Sequence, residues 1–321
     1  MKKIGFVLCV FVSIGVSAQS DPFFSQYMFN PSQYNPGWMG DVQTAFASFQ
    51  HRSQWVGYNS TFDGTGGAPQ SQLLSFIVPV DGPIASAGVN VTLDSQGPSS
   101  NIWIRAGGAY NFDLNKGVLS IGVMPGLVSR TLNFDELRFE DPRDPFAQAQ
   151  GKESQTKPDL AAGVFFNSFS GYFGGIGVNH LLSPSFNFNI DAQGSEASNQ
   201  FKITYYIHGG KKMQINRDFE VTPTLLVKTD GLGYSMDISG TVTYKNSMWG
   251  GLSYRRSEAA VLLIGYSFLP NQELKVGYSF DYVVKDQEAK QPTSHEVFLR
   301  YNLPGLVLGG RKAVKTPRFS F

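Results

Sequence analysis

An all-β fold is predicted for this chain: a transmembrane antiparallel β-barrel of about fourteen strands. Three observations carry the prediction. Apolar and polar residues alternate with period two over most of the sequence. The links between alternating segments are themselves by turns tight and long. The opening residues read as a secretory signal. No apolar run after that signal approaches the ~20 residues a membrane helix requires. Entry into a membrane therefore calls for a closed barrel, in which every backbone group is paired.

Residues 1–18 supply the signal. Lys2 and Lys3 form a charged n-region, Ile4 to Ile14 an apolar h-region, and Val16-Ser17-Ala18 a small-residue cleavage site near Ala18. This places the mature chain beyond the inner membrane and predicts the outer membrane of a Gram-negative cell. Cys9, the only cysteine of the 321 residues, lies in the h-region, so the mature chain has neither disulfide nor thiolate chemistry. Charged residues are sparse at 16% and aromatic residues plentiful at 14%. The formal net charge of +1 falls to about −1 once Lys2 and Lys3 are removed, which leaves no basic field for nucleic acid.

Residues 19–43 form a leader of unusual composition. The run from Asp21 to Pro36 holds too much Pro and Asn for a helix, and it does not alternate as a strand does. Phe23, Phe24, Tyr27, Met28, Phe29, Tyr34 and Trp38 are more than a flexible linker needs. The leader is expected to be ordered, plugging or capping the periplasmic side of the barrel, with Pro31 and Pro36 fixing its bends.

Residues 44–302 are assigned to the barrel. Its strands are expected to begin near Thr44, Gln72, Ser86, Asn101, Gly117, Asp159, Gly171, Gln200, Phe219, Ser235, Met248, Ala259, Gln272 and Ser294. Ile102, Ile104 and Tyr110 share a face opposite Arg105. Phe201, Ile203, Tyr205 and Ile207 stand against Lys202, Thr204, Tyr206 and His208. Met236, Ile238, Gly240, Val242 and Tyr244 oppose Asp237, Ser239, Thr241 and Thr243. Leu274, Val276, Tyr278, Phe280 and Tyr282 oppose Lys275, Gly277, Ser279 and Asp281. Such polar faces suit a wet lumen better than a dry sandwich core. Tight links occur at Asp81-Gly82-Pro83, Asp113 to Gly117, Asn167 to Gly171, Lys245-Asn246-Ser247 and Pro270-Asn271. The intervening links, such as Asn133 to Pro158 and Leu181 to Asn199, are long, as external loops are. Between Thr229 and Glu258 two external links are short, so that side is expected to be the lower wall. Trp55, Tyr110, Tyr244, Trp249, Tyr254 and Tyr282 sit near segment ends, where interfacial girdles place aromatic residues. Residues 303–321 form a basic tail, expected on the periplasmic side. A soluble β-sandwich or propeller is the alternative fold. The absence of a fixed repeat of roughly 40–50 residues disfavours the propeller.

Catalytic chemistry finds little purchase. His51, His180, His208 and His295 are far apart and show no metal-ligand spacing. There is no G-x-S-x-G, and Ser294 and His295 point to opposite faces of one strand. The cluster Gly174-Gly175-Ile176-Gly177 opens no helix and therefore cradles no phosphate. It either makes room for the leader inside the lumen or marks a curved strand. The charged link Asn133 to Pro158 interleaves both signs, as a solvated loop does, and lacks calcium-loop spacing. No catalytic, cofactor or metal residue is assigned.

The leader motif Asp21-Pro22-x-Phe24-Ser25-Gln26-Tyr27-Met28-x-Asn30-Pro31, with Asn35-Pro36, resembles the mature start of the PorP/SprF family. Further matching segments follow in order. They are Arg52-x-Gln54-Trp55-x-Gly57, Gln72-x-Leu74-Ser75-Phe76, Pro158-Asp159-x-x-Ala162-Gly163, His180-Leu181-Leu182 and Leu226-Val227-Lys228. Trp249-x-Gly251-Leu252-Ser253-Tyr254-Arg255, Val276-Gly277-Tyr278-x-x-Asp281-Tyr282, Ser294-His295-Glu296 and Thr316-Pro317-Arg318-Phe319 complete the series. Gly37 and Trp38 depart from the small residues usual there. The resemblance implies an outer-membrane barrel of the type IX secretion and gliding machinery, set in outer-membrane lipid. It further implies work with other type IX components and with a secreted surface adhesin that bears a type IX C-terminal signal domain. The partner-binding candidates are Asp21, Pro22, Phe24, Gln26, Tyr27, Asn30, Pro31, Arg52 and Trp55, and in the tail Arg311, Lys312, Arg318 and Phe319. A passive channel or hydrophobic-solute transporter is the alternative function.

Overall fold

A computed structural model describes residues 21–58, 67–137, 150–188, 199–269, 273–285 and 290–309. In chain order the strands are β1 (Ala45–Ser53), β2 (Gln70–Pro79), β3 (Ser86–Gln96), β4 (Ser99–Leu114), β5 (Gly117–Asn133), β6 (Lys152–Ser168), β7 (Tyr172–Asn179), β8 (Ser185–Phe186), β9 (Asn199–Gln200), β10 (Thr204–Lys211), β11 (Met213–Gln214), β12 (Phe219–Thr229), β13 (Tyr234–Tyr244), β14 (Met248–Arg255), β15 (Ala259–Phe268), β16 (Leu274–Val283) and β17 (Thr293–Leu303). Fourteen of them form one closed antiparallel barrel. β1 to β7 pair in sequence, β7 pairs with β10, β10 with β12, and β12 to β17 follow in sequence. β1 and β17 seal the ring over nine register pairs, Ala45↔Leu303 to Ser53↔His295. β8 and β9 make a small separate hairpin, and β11 adds to the edge of β12.

Side chains sort as the period of two demands. In β13, Ile238 and Val242 face out and are exposed, whereas Asp237, Ser239 and Thr241 face in and are buried. In β4, Ile102, Ile104 and Tyr110 face out and Arg105 faces in. The outer surface is therefore an apolar band suited to lipid, and the inner wall is polar. Lys245 and Asn246 both hold positive φ (49° and 54°), the geometry of a two-residue type I′ hairpin that follows strand twist.

Three expectations shift. β6 starts at Lys152, well before Asp159, because it pairs with β5 as far as Asn133↔Lys152. β4, β5 and β6 are thus 16, 17 and 17 residues long and form a tall wall, while β7, β10 and β14 have 8 residues each. β10 starts at Thr204 rather than Gln200, because Gln200 pairs with Ser185 and Phe201 turns inward. Phe201 packs against Trp103, Val128 and Phe186 over one mouth of the lumen instead of sharing the outer face of Tyr205 and Ile207. Trp249 also faces in and is not a girdle residue. It is buried with its ring centroid 5.2 Å from that of Phe29 and shares the Phe29–Phe298 stack.

Candidate functional site: the lumen and the leader inside it

The leader from Asp21 to Asp41 lies within the barrel. It is built of three short 3₁₀ turns, Tyr27–Phe29, Pro31–Gln33 and Pro36–Asp41. Pro31 and Pro36 each occupy the start of a turn, where their missing N–H costs nothing. The leader does not stop at one rim. Asp41 is bonded by Asn167 at the end of the barrel where the short turns lie (Nδ2 to Oδ1, 2.6 Å), while Asp21 meets His180 and Lys228 at the long-link end. The lumen expected to be wet is instead lined by polar groups bonded to the leader.

Midway down, the backbone of Tyr34-Asn35-Pro36 lies on a track of glycines. Gly122, Gly163 and Gly177 are register partners on β5, β6 and β7. A Cβ on Gly177 would stand 1.9 Å from the Tyr34 carbonyl oxygen. One on Gly163 would stand 2.1 Å from Asn35 Oδ1, and one on Gly122 2.3 Å from the Pro36 carbonyl. Asn35 is then held on all sides. Its amide nitrogen donates to Val164 O (3.1 Å) and to His208 Nε2 (2.8 Å), and its Oδ1 accepts from Gly37 N (2.9 Å). Of the two readings of the Gly174–Gly177 run, room for the leader is the one that the positions of Gly175 and Gly177 fit.

Two buried charge clusters hold the upper leader. In the first, Glu296 accepts the backbone N–H groups of Ser25 (2.6 Å) and Gln26 (3.0 Å). Ser25 Oγ donates to Asp281 (2.6 Å) and accepts from Arg52 (2.5 Å) and Arg255 (3.0 Å). Arg52 pairs with Asp281 at 2.7 Å, and Arg255 pairs with Asp237 at 3.0 Å. The Arg255 guanidinium lies 4.0 Å above the Phe23 ring. Two arginines with 0–1% of their side chains exposed would be costly alone, and the carboxylates of Asp237, Asp281 and Glu296 balance their charge.

In the second cluster, His180 bridges two carboxylates, with Nε2 2.5 Å from Asp21 and Nδ1 3.0 Å from Asp159. Arg105 backs Asp159 at 2.7 Å. Tyr206 and Asn179 donate to Asp21 Oδ2, and Lys228 donates to the Asp21 carbonyl at 2.8 Å. Burial alone would raise the Asp21 pKa, but His180, Lys228 and Arg105 outweigh it and hold the carboxyl well below its usual range. Burial likewise opposes the imidazolium of His180, yet Asp21 and Asp159 raise its pKa. His180 sits at positive φ (56°), a strained backbone position for a non-glycine residue, held by these contacts.

The candidates read from sequence divide. Asp21, Phe24, Gln26, Tyr27, Asn30 and Pro31 are buried in the lumen, with Pro22 half-buried among them. Tyr27 shares hydrogen bonds with Thr224 and Ser239 at 3.0 Å, and Asn30 donates to Ser75 at 2.8 Å. Arg52 joins this group through Ser25. In this structure their partner is the barrel itself. Trp55 stands apart at the long-link rim, half-buried, with Tyr58 5.8 Å from its ring and Lys290 5.3 Å above it. Arg311, Lys312, Arg318 and Phe319 lie outside the described residues. The partner-binding candidates did not include the leader's partners in the lumen, among them Arg105, Asp159, Lys228, Asp237, Arg255, Asp281 and Glu296. The signal available for them was charge on the polar face of an alternating strand.

A closed, lipid-faced barrel of fourteen strands defines the class: an outer-membrane β-barrel protein. Among solved structures it is similar to the toluene transporter TbuX of Ralstonia pickettii, at 9% identity and TM-score 0.51, over 86% of this chain and 93% of that one. A FadL homologue of Pseudomonas aeruginosa matches at 12% identity and TM-score 0.48, over 84% and 92%. The toluene transporter TodX of Pseudomonas putida matches at 10% and 0.48, over 90% and 95%. The likeness to TbuX is one of fold. No curated protein matches the sequence. The chain belongs to the family described as type IX secretion system membrane protein PorP/SprF, whose profile matches residues 16–301.

Proposed function

We propose that this barrel docks and anchors a large secreted surface adhesin, by way of its type IX C-terminal signal domain, and does not itself conduct solutes. The observation that carries the reading is the leader. It runs the length of the lumen and is bonded to inward-facing groups of β1, β2, β3, β6, β7, β10, β12, β13, β16 and β17. An aqueous or apolar route through the barrel would have to displace it. The long external links, with Trp55 at their rim, then face the cargo. The tail residues Arg311, Lys312, Arg318 and Phe319 are the proposed contacts for the periplasmic secretion components. The leader candidates act by shaping the lumen rather than by touching cargo.

Affinity purification of the tagged barrel from outer membranes tests this. Co-purification of a surface adhesin or another type IX component is expected, and recovery of the barrel alone would defeat the docking role. The transport alternative, the role of the toluene transporter TbuX, predicts steady cargo-independent conductance in planar bilayers, where the docking barrel should stay closed.

A further inference from the structure

At the short-turn end the lumen holds cations that no salt bridge among the described residues reaches. Arg300 of β17 lies directly opposite Lys275 of β16 in register, and both face inward. Like charges directly opposite on an antiparallel pair are destabilising. Ser48 and Ser267 flank them on β1 and β15, so this row carries no carboxylate. The Ser267 hydroxyl is buried, at 5% exposure, and has no hydrogen-bond partner. Lys212, just beyond β10, adds a third positive charge. The basic members of the salt bridges among the described residues are Arg52, Arg105, His180 and Arg255, and none of these bridges reaches Lys212, Lys275 or Arg300. Arg300 is held ready, its Nε donating to Asn302 at 3.0 Å and its guanidinium 3.7 Å above Phe46.

Arg300 and Lys212 open onto a cavity of about 170 Å³, walled by Phe29, Trp38, Phe165 and Phe173. Apolar cavities of about 150 Å³ take benzene. The carboxylate in this lining, Asp41, is bonded to Asn167 and feels the charge of Lys212, yet burial outweighs both and raises its pKa, which weakens it as a counter-ion.

We propose that this mouth binds a carboxylate carried on an aromatic or short apolar group, the anion held by Arg300 and Lys212, with Lys275 adding positive charge from the neighbouring strand, and the apolar part held by Trp38, Phe165 and Phe173. The ligand is either a free aromatic acid or an acidic-aromatic peptide segment, which offer the same chemistry. The site stands independently of the docking role.

The test is calorimetric titration of the full chain in detergent with 3-phenylpropionate and with its neutral amide. The acid is expected to bind at least tenfold more tightly than the amide. Arg300→Gln with Lys275→Gln should weaken the acid at least tenfold without weakening the amide, and Asp41→Asn should leave acid binding intact or strengthen it. If the double variant does not show the heat-modifiable mobility of a folded barrel, Lys212→Gln at the exposed rim serves, with a weakening of at least threefold expected. Competition by acetyl-Phe-Asp-amide identifies a peptide source, and its failure to compete identifies a free acid. Either result agrees with the proposal. Equal affinity for acid and amide, unchanged acid binding in the cation variants, or no binding of the acid at millimolar concentration would overturn it.

Discussion

Gly177→Ala should release the leader from the lumen without opening the barrel wall. The added Cβ would stand 1.9 Å from the Tyr34 carbonyl oxygen and 2.9 Å from Asn35 Cα. An ordinary contact is roughly 3.4 Å, so the leader backbone must retreat by about 1.5 Å. A shift of that size breaks the bonds from Asn35 to Val164 O and His208, now 3.1 and 2.8 Å. Overpacking costs about 1–3 kcal/mol and each lost hydrogen bond about 1 kcal/mol, for a total of about 3–5 kcal/mol. At about 1.4 kcal/mol per factor of ten, the population with a displaced leader rises roughly 100- to 4000-fold. Cys9 is the only cysteine of the sequence, so in a Cys9→Ala background a reporter thiol is clean. Ser32→Cys, at a site 2% exposed, should resist maleimide in the parent barrel and label rapidly in the Gly177→Ala background. Gly240→Ala is the control, since a Cβ there meets nothing within 4 Å. Equal protection of the thiol in the Gly177→Ala and parent backgrounds would refute the tight seating of Tyr34-Asn35-Pro36.

Other perturbations have defined outcomes. Arg255→Met strands Asp237 without its cation, while Asp281 keeps Arg52 at 2.7 Å, and should cost about 3–5 kcal/mol, read as a lower urea midpoint for loss of heat-modifiable mobility. The Asp21–His180 latch should hold best between about pH 4 and pH 6.5. Asp21, with its pKa depressed in the fold, contributes above its unfolded value of ~3.9 and loses that contribution as pH falls below it. His180, with its pKa raised, contributes fully below ~6.5 and loses that contribution as pH rises through its folded value. Protease sensitivity of the leader across pH 3–9 checks this, and Asp21→Asn should flatten the profile. Deleting Asp21 to Gly40 should abolish adhesin display while the barrel still inserts, and normal display by the deleted form would show the leader to be dispensable.

Much of the fold was legible because strand formation leaves a local trace. Twelve of the fourteen expected starts lie within two residues of the observed ones, since each strand announces itself by its own alternation. The inward placement of Arg105, Asp237 and Asp281 followed from the same rule. The two larger misses, at Lys152 and Thr204, fall where a distant pairing overrides local pattern. Trp249 was misread for a related reason. An aromatic residue at a strand end suits a girdle or a core equally well, and only the gap left beside it by Gly265 and Gly277 decides.

The sequence by itself determined an alternating chain that must close into a barrel, and it marked the leader as too aromatic and too Pro-bent to be idle. What the leader touches was decided by tertiary structure alone. Ser25 and Glu296 are 271 positions apart, and Asn35 meets His208 across 173. No periodicity carries information over such distances. Fourteen strands closed in one register bring Gly122, Gly163 and Gly177 into line and turn scattered inward charges into two networks around Asp21 and Ser25. Closure of the ring creates those neighbours, and a single strand contains no trace of them.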